Sequence, residues 1–146
     1  MITQLFNYQP NTRNTKIDSI KEKKKTKPLK PTKENLSKDI LSRIENWKAA
    51  WENKNMEDYL SSYSSSFKYP NNMNKSEWEN YRLNRIISKK IIVISLSNIK
   101  VKFDNKKAIA TFNQNYKSGA LNQTSKKTLV FVREANHWLI LEETSK

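Results

Sequence analysis

Apolar residues recur along this chain with two different periods, and the change of period divides it. From Leu36 the spacing is helical. Leu36, Ile40, Ile44, Trp47 and Trp51 fall on one stripe, which predicts a helix over Lys33–Asn53 with Thr32 as its N-cap. Asn53-Lys54-Asn55 interrupts it, and Asn55 can cap a short second helix, Met56–Tyr63, with Met56, Tyr59, Leu60 and Tyr63 on one side. Ser76 and Glu79 have the spacing of a capping box. They predict a third helix reaching about Ser88, with Trp78, Tyr81, Arg82 and Arg85 on one face.

Beyond about Lys89 the period becomes two. Lys90–Phe103 is long and β-branched, with a bulge or bend expected at Ser95–Asn98. Asp104–Lys107 turns into Ala108–Tyr116, where Ala108, Ala110, Phe112, Gln114 and Tyr116 share one face. That face starts small and apolar and ends in an amide and a phenol, as a strand does that runs from a packed floor to the lip of a concavity. Ser118–Ser125, which holds Gly119, reads as a longer connection. Lys127–Arg133 follows, Glu134–Asn136 turns, and Trp138–Glu142 closes the sheet with Trp138, Ile140 and Glu142 on one side. Three helices and then an antiparallel meander predict an α+β fold, the helices packed on one face of a curved four-stranded sheet.

Composition changes the picture at the N-terminus. The chain has 146 residues, a hydrophobic content of 36%, a mean hydropathy of −0.89 and a formal net charge of +14, and its apolar residues are unevenly spread. Residues 1–33 carry nine Lys or Arg against two Asp or Glu, so this segment is far more basic per residue than the rest. Residues 1–31 are therefore expected to form a disordered basic arm, and residues 32–146 the folded domain. The run Lys21, Lys23, Lys24, Lys25 and Lys27, followed by Pro28 and Pro31, reads first as a solvated linker. As an alternative it is an arm for nucleic acid or an anionic surface, because such segments bind phosphates without sequence preference. Interleaved aromatic residues, which base stacking requires, are missing from Lys16–Lys33.

With no Cys, disulfides, thiol nucleophiles and zinc–thiolate sites are excluded. No apolar run approaches the roughly 18 residues of a membrane span. The first sixteen residues also lack the apolar core of a secretory leader. As the chain stands a cytoplasmic protein is expected; a periplasmic one is expected if the N-terminus is truncated.

A set of residues resembles the nuclear transport factor 2-like, or SnoaL-like, cone. It comprises Trp47, Ala50-Trp51-Glu52-Asn53-Lys54-Asn55 and Tyr59, then Tyr63 and Phe67, then Trp78 with Tyr81-Arg82. Ile99–Val101 and Ala108, Ala110, Phe112, Gln114 and Tyr116 follow, with Lys127 and Leu129, and Trp138, Ile140 and Glu142. More narrowly, Leu36–Glu143 is similar to the C-terminal domain of YkuD-like L,D-transpeptidase and L,D-carboxypeptidase proteins that trim peptidoglycan in curved and helical bacteria. In those proteins an upstream domain supplies a Cys nucleophile beside His and Gly-rich turns. Here there is no Cys, one His and one Gly, so the resemblance is to the accessory domain without the transpeptidase.

The resemblance implies a small-ligand pocket where the helices close over the concave face of the sheet. Its mouth is expected to include Tyr63, Trp78, Arg82, Arg85, Gln114, Tyr116, Lys127 and Glu142, which together suit a peptidoglycan fragment or an acidic glycan. No cofactor or metal is implied. Implied partners are such a glycan, a second copy through the sheet, and a cell-wall-trimming enzyme. A purely structural account of the same residues has Arg82 or Arg85 paired with Glu142, and Gln114 bonded to Tyr116. An isomerase or dehydratase of the SnoaL-like kind needs a pocket acid or base. His137, at a strand start, and Asp58, early in a helix, read instead as an exposed edge residue and a dipole-favoured carboxylate.

Overall fold

The computed structural model describes residues 31–146. Thr32 caps α1 (Lys33–Glu52), its side chain accepting from the Asn35 N–H, and Asn55 caps α2 (Met56–Ser61) by accepting from the Asp58 N–H. The third helix, α3 (Lys75–Ile87), starts one residue before the expected cap. Asn74, extended at ψ 177°, accepts from the Glu77 N–H, and Glu77 returns the bond to the Asn74 N–H. The capping box is thus Asn74/Glu77 and not Ser76/Glu79, because Asn caps as well as Ser and stands first in line.

The second helix ends before Tyr63. From Ser62 the chain leaves α2 and runs parallel to the last strand: the Ser64 N–H donates to Ile140 O and the Lys68 N–H to Leu141 O, at 2.8 and 2.9 Å. The segment covers what would otherwise be an open sheet edge. A single 3₁₀ turn, Pro70–Asn72, then leads to α3; Asn71 and Asn72 have φ of 56° and 59°, a region Asn tolerates.

The sheet is β1 (Val93–Asp104), β2 (Lys107–Ser118), β3 (Leu121–Glu134) and β4 (His137–Ser145), antiparallel throughout and in sequence order. Ser118–Ser125 is not a long connection. Gly119, at φ 59°, and Ala120 make a two-residue turn, and Leu121–Ser125 is already paired with Gln114–Ser118. Polar residues hid this strand: Asn115 Nδ2 donates to Asn122 Oδ1 and Thr124 Oγ1 across the ladder, and a stretch without apolar alternation carries no period-two signal. The expected irregularity in β1 is present as a register shift between Ser97 and Lys100, with Asn98 at φ 55°. A second shift was not foreseen: Val130 pairs with Glu142 but Phe131 with Ile140, so Leu141 is an extra residue in β4.

The core lies between α1 and the concave face of the sheet. Ile40, Ile44 and Trp47 from α1 are buried against Ala108, Ala110, Phe112, Leu129, Phe131 and Ile140. Trp47 meets Phe112 edge-on at 6.3 Å. At the far end of α1, Glu52 accepts from the Ile94 N–H at 2.8 Å, and Lys54 Nζ donates to the Lys89 and Lys90 carbonyls. These bonds join the α1–α2 junction to the chain leaving α3. Among the described residues, no helix is long and apolar enough to cross a membrane.

Candidate functional site

The apolar floor of the sheet stops at Phe112. Opposite it stands Lys127 on β3, and beyond it the inward positions are Gln114 and Tyr116 on β2 and Ser125 on β3, so the concave face turns polar over a few residues. The helices do not fill the space above them. A cavity of about 490 Å³ remains, walled by Trp51 from α1, Arg82 and Arg85 from α3, and Gln114, Tyr116 and Lys127 from the sheet. That volume lies in the range of small-ligand sites. A smaller hollow of about 170 Å³, lined by Phe67, Pro70, Trp78, Tyr81 and Glu143, shares Arg82, Lys127 and Ser145 with the first.

Five of the eight expected mouth residues, Arg82, Arg85, Gln114, Tyr116 and Lys127, line the larger cavity, and Trp78 lines the smaller. Tyr63 is buried and lines neither. Glu142 is a correction. The bulge at Leu141 turns it to the outer face, where it pairs with Lys68 at 2.9 Å, and puts Glu143 opposite Leu129 on the concave side. The structural pairings considered for these residues are not formed either. Arg82 bonds to Tyr59, Arg85 lies over the Tyr81 ring at 5.5 Å, and Gln114 Oε1 is buried with no partner. His137 is exposed, as expected for a strand edge. Lys21, Lys23, Lys24, Lys25 and Lys27 lie outside the described residues.

Beneath the cavity runs a chain of hydrogen bonds. Lys127 Nζ donates to Glu143 Oε2 and Tyr63 Oη to Glu143 Oε1, each at 2.7 Å. Trp47 Nε1 donates to Tyr63 Oη at 3.0 Å, and Arg82 Nε to Tyr59 Oη at 2.9 Å. The two phenolic oxygens are 3.1 Å apart. Tyr63 has one proton and the carboxylate takes it, so the proton between the phenols is that of Tyr59. Arg82 also lies over the rings of Trp51 and Tyr59, at 5.3 and 5.5 Å.

These contacts fix the charge states. Burial raises the carboxyl of Glu143, but the Lys127 ammonium and the bonds from Lys127 and Tyr63 outweigh it and hold Glu143 below its usual value. Burial pushes the Tyr59 phenol up to about 12 and that of Tyr63 well above its usual value. Arg82 is pulled down by burial, yet Tyr59, Tyr63 and Glu143 carry it above its ordinary value. Two cations therefore flank one carboxylate, and with 6% of the Lys127 surface exposed its bond to Glu143 is shielded from solvent.

Sequence reasoning missed Glu143 and Tyr59. Periodicity places Tyr59 on one side of α2 with Met56, Leu60 and Tyr63, and its ring is buried, but its hydroxyl reaches Arg82. The signal for Glu143 was the adjacent pair Glu142-Glu143, either of which can face inward depending on one residue of register. Gln114 Oε1 and Trp138 Nε1 are buried without partners among the described residues, and of these two side chains Gln114 lines the larger cavity. Among the described residues no cluster of three or more His, Cys, Asp or Glu is placed to hold a metal.

A helical layer over a bent four-stranded meander, with a polar hollow left at one end, is the cystatin-like α+β cone. Residues 39–144 match the Cds6 C-terminal NTF2-like domain, and the chain belongs to that family. It is similar to Bd1075 of Bdellovibrio bacteriovorus, with 25% identity and a TM-score of 0.67 over 74% of this chain and 39% of that one. It also resembles the helical cell shape determining protein Pgp2 of Campylobacter jejuni (21% identity, TM-score 0.70, 77% of this chain and 41% of that one). A cystatin-like-fold protein from Nostoc punctiforme shares the fold at 12% identity and a TM-score of 0.62, over 80% of this chain and 93% of that one. The chain thus spans about two fifths of the length of Bd1075 and Pgp2. No curated protein matches its sequence.

Proposed function

We propose that this domain is a noncatalytic recognition module whose larger cavity takes an acidic, peptidoglycan-related glycan. The observation that carries the reading is Gln114. Its carbonyl oxygen is buried and unbonded on the wall of a cavity that also presents Arg82, Arg85 and Lys127, with Glu143 neutralising one charge beneath. A buried acceptor without a donor costs about 1–3 kcal/mol, which a ligand hydroxyl or amide N–H would recover. The remaining positive charge calls for a carboxylate, and Trp51 and Tyr116, 5.5 Å apart and tilted by 33°, offer ring faces to a sugar.

The charge states support binding over acid–base chemistry. Glu143 ionises below its usual range, and Tyr59, Tyr63 and Arg82 above theirs, so none of the four changes protonation near neutral pH. The similarity to Pgp2, a cell shape determining protein, agrees with a cell-wall ligand.

Calorimetric titration with N-acetylmuramic acid and with neutral N-acetylglucosamine tests the reading. The acid is expected to bind, more weakly as salt rises, and Arg85→Ala to weaken it without lowering the melting temperature much. Equal binding of the two sugars, or binding of neither, overturns it.

A further inference from the structure

The smaller hollow is not absorbed by that reading, and its walls differ from those of the larger cavity. Phe67, Pro70, Trp78 and Tyr81 make it apolar and largely aromatic, while Glu143 and Ser145 supply oxygen acceptors at its edge. At about 170 Å³ it falls short of the space a whole ligand needs but suffices for one ring. It is also joined to the larger cavity: Arg82, Lys127 and Ser145 belong to the walls of both.

Such a pair of hollows suits one ligand better than two. Arg82 spends its Nε on Tyr59, and Lys127 uses one of its three protons on Glu143, which leaves guanidinium and ammonium protons on the common wall. Glu143 accepts one bond at each oxygen and keeps further lone pairs. A pyranose has an apolar face for the aromatic side chains and hydroxyls for those lone pairs. Tyr81, on the wall of the smaller hollow, is 44% exposed, and with Arg85 over one face of its ring the other face can meet a sugar.

We infer that the two hollows form one bipartite site for an acidic oligosaccharide at least two rings long. The acidic ring occupies the larger cavity, its carboxylate lies on the shared wall between Arg82 and Lys127, and a neutral ring sits against Tyr81 in the smaller hollow. This rests on the glycan reading above and extends it from one sugar to two.

The test compares N-acetylmuramic acid with the disaccharide N-acetylglucosaminyl-N-acetylmuramic acid on the full chain. The disaccharide is expected to bind about tenfold more tightly, the equivalent of one well-made ring contact. Tyr81→Ala should reduce that ratio to near one while leaving affinity for the monosaccharide within about twofold, and Tyr81→Phe should keep the ratio. Monosaccharide binding with no gain for the disaccharide overturns the bipartite site and leaves the glycan reading standing. So does a Tyr81→Ala variant that weakens both sugars equally, since Tyr81 would then be acting through Arg85, which lies over its ring at 5.5 Å. Binding of neither sugar overturns both.

Discussion

Lys127 and Glu143 meet at 2.7 Å on the concave side of the sheet, sixteen residues apart on neighbouring antiparallel strands. The pair is the reason a lysine can stand among buried side chains directly opposite Phe112 in the ladder. It also leaves Arg82 to share that one carboxylate with Lys127, without a carboxylate bonded to it. Removing the carboxylate alone strands two cations.

Glu143→Gln is therefore expected to cost about 3 kcal/mol of stability, and Lys127→Met added to it to restore more than half. Urea unfolding of the two variants measures this. The pH dependence has a definite sign. The folded carboxyl ionises below its ordinary value, so its contribution is present above that value and is lost as the pH falls through the folded one. The acid limb of the stability profile should accordingly flatten in Glu143→Gln.

At the alkaline end Tyr59 acts in the opposite sense. Its phenol ionises at about 12 in the folded chain against an ordinary value of 10.0. The folded state thus holds a proton that the unfolded state has released, and stability falls as the pH rises from the unfolded value towards the folded one. Tyr59→Phe should blunt that fall. Phenolate absorbance of the native protein should show a tyrosine that ionises only near the end of the titration.

Gln114→Leu separates binding from folding. The substitution removes an unpartnered buried amide, so stability should hold or rise by about 1 kcal/mol, while affinity for N-acetylmuramic acid should fall about tenfold. Thermal unfolding and calorimetry on the same sample check both. A large loss of stability would mean that the amide supports the fold.

The start of α3 can be tested with two conservative changes. Asn74→Ala removes the side-chain acceptor of the Glu77 N–H while the backbone bond to the Glu77 carboxylate can persist, and is expected to cost about 1 kcal/mol, whereas Ser76→Ala, inside the first turn, should cost little. Denaturant midpoints distinguish them.

Much of the cone was legible in the sequence because its periods are clean. The α1 stripe and the inward face of β2 each follow a single register: Ile40, Ile44, Trp47 and Trp51 are buried with Leu36 packed against them, and Gln114 and Tyr116 face the hollow. What escaped was whatever depends on pairing between distant residues. The first half of β3 is polar and shows no alternation, and only its partners on β2 make it a strand. The capping box slipped by two positions because several residues before α3 are competent caps. The link from Tyr59 to Arg82 spans twenty-three positions and joins two helices, and periodicity within either one is silent about it.

Leu141, the one surplus residue in β4, decides which of two neighbouring glutamates serves the interior. Glu142 is left to a surface lysine, while Glu143 becomes the counter-ion under the polar hollow. The net charge of the pocket is in this way set by strand arithmetic as much as by side-chain identity. A gain or loss of one residue along this strand would exchange the places of the two glutamates and alter the charge beneath the hollow with no change in the sheet's order.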